Sequence, residues 1–386
     1  MPIKKVLFIT GARSDFYIQK PIIDECIKSK FLIPQMIITG SHLSRQFGQS
    51  LKEILKNYKK IKPQKVKNLL ISDKPESRVL GLSIQLKKLI GIIVKLKPDI
   101  LIAPFDREEA LSIAIAGAYL RIPVAHIGAG DKTDYNIDGI VRHSVSKLSN
   151  LFFCFTPQNA ERLYKMGEDK KFIFTVGHTV YDRYNSVKKI NTLKLEKIIK
   201  LKFNNQPLIV FIQHPVSNFL NKTKDHIKES FKALDEINVP TLIIRSNSDP
   251  GTLIIHKEFK KYNFKKNKQI RYCENLPEEI FVNIIKKCSL ILGNSSMGIL
   301  EAPVLGKNTI NIGPRQIGRQ NANNIIYVQN NSKEIINATL KILKLQNKKN
   351  KRFKKVYSSK GTAKRIINIL EKIKINDKLI NKKILY

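Results

Sequence analysis

The chain reads as an α/β protein made of two Rossmann-like, doubly wound parallel-sheet domains that face a cleft. Three observations predict this. Apolar runs of strand length alternate with helical patterns through most of the 386 residues. The alternation occurs twice, with a polar, lysine-bearing stretch over residues 181–200 between the two sets. Polar groups also collect where the apolar runs end, which is where open α/β sheets bind their ligands.

In the first set, residues 5–10, 32–39, 100–105, 123–127 and 151–156 read as buried strands, because each is a short apolar run bounded by turn residues. Residues 18–28, 79–96 and 108–120 carry the 3.6-residue period of helices, and 41–55 reads as a loop entering a helix. The second set has strands at 208–213, 241–245, 268–272, 289–292 and 309–312. Its helices are expected at 224–236, 277–287 and 296–305. After Ser332 the chain is lysine-rich, with helical patterns over 333–345 and 363–373. The stretch 347–355 is too charged to bury and reads as a solvated helix face or loop. The expected division is an N-terminal domain at 1–184, a C-terminal domain at 185–362 and a helical tail at 363–386.

A 42% apolar fraction is ample for two packed cores. No apolar run approaches the ~20 residues of a spanning helix. The first ten residues lack the length of a signal peptide's apolar region, and Gly11-Ala12-Arg13-Ser14-Asp15 interrupts them. Cys26, Cys154, Cys273 and Cys288 are scattered without metal-ligand spacing and read as reduced core thiols in a cytoplasmic protein. The formal charge of +39 raises the question of nucleic acid. Its lysines are spread over nearly every segment, and no RNA- or DNA-binding motif accompanies them, which argues against that ligand as the main one.

The run Gly293-Asn294-Ser295-Ser296 follows a strand and opens an expected helix. Helix starts leave N–H groups unpartnered and carry partial positive charge, so the run reads as a diphosphate seat. Gly293 and Gly298 are read as places where a ligand approaches the backbone, and Arg315 and Arg319 as cations for the same anion. Other strand ends offer Arg13 and Asp15, His42, Asp106-Arg107, Asp131, Arg142-His143, His214 and Arg245 to Asp249. Each alone matches an ordinary helix cap. Together they outline a cleft with carboxylates on one wall and the diphosphate seat on the other. Carboxylates without metal-ligand spacing suit proton transfer, and a held diphosphate suits a leaving group. The chemistry indicated is cleavage of the anomeric C–O bond of a nucleotide sugar.

Taken in order, these motifs resemble the hydrolysing UDP-N-acetylglucosamine 2-epimerase family. The resemblance rests on Gly11 to Asp15, Thr39 to Ser44 with Phe47-Gly48, Asp106-Arg107 and Ile137-Asp138. It continues through Arg142-His143, Lys147 to Ser149, Met166 to Glu168, Gln213 to Pro215, Gly293 to Ser296, Glu301-Ala302 and Ile312 to Arg319. It implies a GT-B fold and conversion of UDP-N-acetylglucosamine and water to N-acetylmannosamine and UDP through a 2-acetamidoglucal, feeding sialic-acid-type synthesis. It implies no metal or redox cofactor, and a homo-oligomer (dimer or tetramer). By position Asp106 and Asp138 match family catalytic carboxylates, and His214 the cleft histidine. Arg13, Ser295, Ser296, Glu301 and Arg315 match nucleotide-diphosphate contacts, with Arg107 and His143 in active-site motifs. Asp15, His42, Arg142 and Asn294 join them as candidate substrate contacts. There are two departures: Gly128 stands where the family has a catalytic Glu, and Phe105 replaces the Gly before the Asp-Arg pair. Asp131 is the candidate substitute for the missing acid. A non-hydrolysing 2-epimerase, a GT-B glycosyltransferase and a degenerate nucleotide-sugar binder are the alternatives.

Overall fold

The computed structural model describes residues 1–47, 50–345, 353–354, 356–357 and 359–385. Gly48 and most of the 347–355 stretch therefore lie outside the described residues. The first sheet is built from β1 (Lys4–Thr10), β2 (Leu32–Thr39), β3 (Gln64–Val66), β4 (Ile100–Pro104), β5 (Val124–Ile127), β6 (Leu151–Cys154) and β7 (Ile173–Thr175). The second contains β8 (Ile209–Ile212), β9 (Thr241–Ile244), β10 (Ile270–Cys273), β11 (Leu290–Gly293), β12 (Asn308–Ile312) and β13 (Ile325–Val328). The strand orders are β3-β2-β1-β4-β5-β6-β7 and β10-β9-β8-β11-β12-β13. Neighbouring strands are parallel throughout, for example β1 with β2 and β4, and β8 with β9 and β11.

Parallel sheets are covered on both faces, which is why their central strands are continuous apolar runs. β4, β5, β6, β8 and β11 are buried at every position. One face of the first sheet packs on the helix Arg13–Lys28 through Phe16 and Ile22, and on the C-terminal helix Thr362–Lys372 through Ile366 and Leu370. The other face takes the helices Glu76–Leu96, Glu108–Leu120 and Ile137–Leu148 through Ile93, Ile113 and Val145. The second sheet is covered by Thr223–Ile237 and Ser332–Leu345 on one face, and by Thr192–Ile199 and Glu278–Lys287 on the other.

In both sheets the chain winds outward in one direction from the first strand, then in the other. The reversal falls between β1 and β4 and between β8 and β11. Loops leaving these strand pairs diverge and open a crevice. The residues there are Gly11 to Asp15 with Phe105 to Arg107, and Gln213 to Pro215 with Asn294 to Ser296.

Residues 181–200, expected as a polar, lysine-bearing stretch, are largely helical. Val180–Ser186 is a helix whose Arg183 is buried between Glu278 and Glu301 of the second unit, at 3.0 and 3.1 Å. Its Asp182 accepts the backbone N–H groups of Gly361 and Ala363 at 2.8 and 2.9 Å, capping the C-terminal helix. That helix then returns to the first unit, where Lys4 Nζ donates to Leu370 O at 2.9 Å. The short edge strands β3, β7 and β13, and the helices Ile137–Leu148, Pro157–Lys165 and Thr252–Lys261, were not among the expected elements.

His178 lies where the two units and the returning chain meet. Its backbone N–H donates to Tyr357 O at 2.6 Å, and its Nδ1 accepts from Val180 N at 3.1 Å. The ring packs edge-on against Phe155 at 4.7 Å. Burial, reinforced by the Arg183 charge, pushes the imidazole down to about 3. The unfolded chain titrates near 6.5, so this histidine costs nothing above that pH. As pH falls from 6.5 towards 3, the unfolded chain takes up a proton that the folded one refuses, and stability is lost. His178→Asn keeps an acceptor for Val180 and cannot titrate. Urea unfolding at pH 7, 6 and 5 should show the gap between wild type and variant shrinking by about 1.4 kcal/mol per unit below 6.5. A pH-independent gap would contradict a neutral buried ring.

Candidate active site

The first wall of the cleft is organised by the helix Ile137–Leu148. Asn136 caps it, its side chain accepting from Ile137 N. Asp138 and Arg142 are four residues apart and share a helix face. Arg142 is fully buried, and its guanidinium holds the carboxylate of Asp106 at the end of β4 and the carbonyl of Asp131 at 3.2 Å. One helix turn therefore separates Asp138 from the residue that positions Asp106. Farther along the helix, Ser146 bonds His126 Nδ1 at 2.9 Å, while His126 Nε2 reaches Phe105 O at 2.7 Å.

Asp138 accepts from Asn136 Nδ2 at 2.7 Å and from Arg315 Nη2 of the second unit at 3.3 Å. Burial in the cleft raises its pKa, Arg315 opposes that, and the net direction is upward. An aspartate so placed exchanges protons more readily near neutral pH than an exposed one.

The second wall is the crevice between β8 and β11. Asn294 is buried there, accepting from His214 N at 2.6 Å and donating to His214 O at 2.9 Å. Its own carbonyl accepts from Gln316 Nε2 at 2.9 Å and Arg315 Nη1 at 3.4 Å. Ser295 and Ser296 are half-buried and donate no hydrogen bond to any other described residue. They line one cavity with Arg13, Ser14, Tyr17, Arg183, His214 and Glu301. Burial, then the Arg315 charge, pushes His214 down to about 3, so its ring is neutral at physiological pH.

The expected helix at 296–305 is one turn, Met297–Leu300, followed by a 3-10 turn at Ala302–Leu305. Pro303 supplies no N–H, and its ring obstructs a continuing α-helix. Ser296 makes no side-chain cap bond. A one-turn helix adds little dipole, so any anion held here must rely on hydroxyls, N–H groups and arginines. Neither glycine opens a path for a ligand. A Cβ on Gly293 would lie 2.0 Å from Ile212 O, and one on Gly298 2.5 Å from Thr309 Cγ2, so both serve close packing against neighbouring strands.

Arg319, expected at the diphosphate, instead pairs across the cleft with Asp131 at 3.0 Å. Asp131 is buried by that pairing. Asp15 and His42 are turned inward as well. Asp15 accepts from Thr10 Oγ1, Gly11 N and Ala12 N at 2.8, 3.0 and 3.1 Å, and fixes the start of the Arg13–Lys28 helix. His42 lies between Thr10 Oγ1 and Ser50 Oγ at 2.9 and 2.6 Å. Arg13 reaches across to Asn275 and to Glu274 O. Glu301, on the cavity wall, accepts from Arg183 and Tyr184. His143 follows Arg142 on the helix and is half-buried.

Two participants, Arg78 and Arg183, are not among the residues expected from the sequence, and a third, Asp249, is expected only as part of a polar strand end. Asp249 receives Arg107 Nη1 at 3.2 Å and lies 3.9 Å from Arg315. Burial alone would raise its pKa, but Arg107, Arg78 and Arg315 outweigh that and hold it low. Arg78 pairs with Glu108. Arg183 ties the linking helix to Glu278 and Glu301. Asp249 stood at a noted strand end and was legible; Arg78 and Arg183 had no local signal.

The model of the UDP-N-acetylglucosamine 2-epimerase family matches residues 24–371. The chain belongs to that family. It is 32% identical over 324 residues to a GDP/UDP-N,N'-diacetylbacillosamine 2-epimerase (hydrolyzing) of Campylobacter jejuni, covering 84% of each chain. It is 31% identical over 336 residues to a UDP-N-acetylglucosamine 2-epimerase of Neisseria meningitidis, covering 87% of this chain and 86% of the relative. The crystal structure of the UDP-GlcNAc 2-epimerase from Neisseria meningitidis bound to UDP-GlcNAc superposes with a TM-score of 0.80 at 22% identity, covering 96% of this chain and 100% of that one. The fold is thus the GT-B-like pair of sheets that this family shares.

Asn294 is the bracket of the second wall. Asn294→Ala leaves the N–H and C=O of His214 without their partners, and is expected to cost about 2–3 kcal/mol in urea unfolding. A cost below about 0.5 kcal/mol would show that the bracket carries no weight.

Proposed function

We propose that this protein is a hydrolysing 2-epimerase of UDP-linked N-acetylated amino sugars, UDP-N-acetylglucosamine or a close relative such as UDP-N,N'-diacetylbacillosamine. The observation that carries the reading is Arg315, which touches both Asn294 O beside Ser295 and the carboxylate of Asp138. One guanidinium so links the diphosphate wall to the carboxylate wall, as an enzyme that cleaves a sugar–diphosphate bond requires. Family membership and the hydrolysing relative support the same reaction.

In this scheme UDP lies against Ser295, Ser296 and Arg13, with the sugar over Asp106 and Asp138. One carboxylate removes the C2 proton, and the C1–O bond breaks with its electron pair leaving on UDP. The product is a 2-acetamidoglucal. Water then adds its hydroxyl at C1, and a proton returns to C2 from the opposite face, giving the free 2-epimer. Neutral His214 supports the cleft by hydrogen bonding without adding charge. The reaction is placed in the cytoplasm, where the four free thiols stay reduced. A homo-oligomer is proposed on the exposed apolar residues Val79, Leu80, Ile90 and Val94 of the Glu76–Leu96 helix.

A second reading, a binder without turnover, is favoured by one observation: position 128 is glycine and carries no acid. Incubation with UDP-N-acetylglucosamine in deuterated water separates them. We expect free UDP and a free 2-epimer labelled at C2, read by NMR; a UDP-linked epimer, or no UDP at all, would refute the proposal. Asp106→Asn should lower turnover about 10²-fold or more while UDP still binds, and near-normal rates would remove Asp106 from the mechanism. Ser295→Ala combined with Ser296→Ala should weaken UDP at least about tenfold in calorimetric titration, whereas an unchanged isotherm would empty the seat of its role.

A further inference from the structure

The two departures at 105 and 128 lie in contact. Phe105 has φ 58°, a left-handed conformation that a bulky side chain adopts only under constraint. Its ring packs on Phe155 with centroids 5.7 Å apart. Beneath it, a Cβ on Gly128 would lie 2.7 Å from Phe105 Cδ1 and 2.9 Å from Cε1. The ring thus fills the space that any side chain at 128 would take, and Gly128, at φ 77°, is what lets it sit there. Phe105 is only partly buried, and it directly precedes Asp106 at the strand-order reversal.

We infer that Phe105, seated on Gly128, is the specificity-determining residue for the sugar: it selects a UDP-sugar whose edge carries a methyl and a second acetamido group over one that carries hydroxyls. This rests on the proposed reaction and names its substrate class. An aromatic face offers no hydrogen bond to replace the water stripped from a hydroxyl, whereas it gains contact with a methyl group. Phe105 directly precedes Asp106, whose carboxylate Arg142 holds, so in the proposed binding mode its partly exposed ring borders the sugar rather than the nucleotide. A 4-acetamido-6-deoxy sugar fits that surface; a hexosamine with free 4- and 6-hydroxyls loses bonds on it.

The test is calorimetric binding of UDP, UDP-N-acetylglucosamine and the 2,4-diacetamido-6-deoxy UDP-sugar to the full-length protein, with turnover measured alongside. Wild type should bind the deoxy diacetamido sugar at least about tenfold more tightly than UDP-N-acetylglucosamine. Phe105→Gly, which suits the left-handed backbone, should bring the two within about threefold of each other with UDP affinity unchanged. Gly128→Ala, which pushes the ring aside, should shift the ratio the same way and guards against a misfolded Phe105→Gly. No preference in wild type, or a preference that survives both variants, would overturn the inference. Binding ratios that shift as expected without turnover would sink the proposed reaction and leave the selectivity standing.

Discussion

Arg142 is a full positive charge with no exposed surface. A buried ion without partners is prohibitively costly, and removing one partner of such a pair typically costs about 3–5 kcal/mol. Its guanidinium therefore has to be met, and the groups that meet it are Asp106 and the carbonyl of Asp131. That requirement locks the end of β4 to the middle of the Ile137–Leu148 helix. It follows that Asp138, one turn earlier on the same face, points into the same cleft. The proposed proton-transfer geometry is a consequence of keeping one arginine paired.

The second unit meets this wall with its own charges. Arg107 spans from the first unit to Asp249, while Arg315 and Arg319 come back to Asp138 and Asp131. Asp73 accepts the N–H groups of Gly251 and Leu253 at 2.8 and 3.0 Å, and Asp134 N donates to Ile317 O at 3.1 Å. The ion pairs and the bonds to the Asp73 carboxylate are charge-assisted and directional, so they fix the register of the two walls more tightly than apolar packing would. They also hold Arg315 between Asn294 O and Asp138, where the proposed reaction calls for a cation beside the leaving diphosphate.

Much of this was legible in the sequence. Buried parallel strands announce themselves as apolar runs, so β1, β2, β4, β8, β9 and β11 lay where expected, and with them the loops at both strand-order reversals. The short, half-exposed edge strands β3, β7 and β13 carry no such signature. The Ile137–Leu148 helix does carry one, an Asn cap followed by apolar residues at helical spacing, interrupted by the polar Asp138, Arg142 and His143. The helix expected at 296–305 is shorter than its apolar pattern implies because Pro303 does not let it continue. Pairings across the cleft, such as Arg319 with Asp131, depend on how two distant loops meet, and no local pattern encodes that. The contact between Phe105 and Gly128 shows the same limit: each departure was visible in the chain, but their mutual fit appears only in space.

The central claim is that one guanidinium, Arg315, joins a diphosphate seat at Ser295 and Ser296 to a carboxylate pair ordered by Arg142. A crystal structure with bound UDP tests it most directly. The account predicts phosphate oxygens within hydrogen-bonding reach of Ser295 and Ser296, with the terminal phosphate directed towards Asp138 and Asp106. A nucleotide bound elsewhere, or a terminal phosphate turned away from those carboxylates, would contradict it.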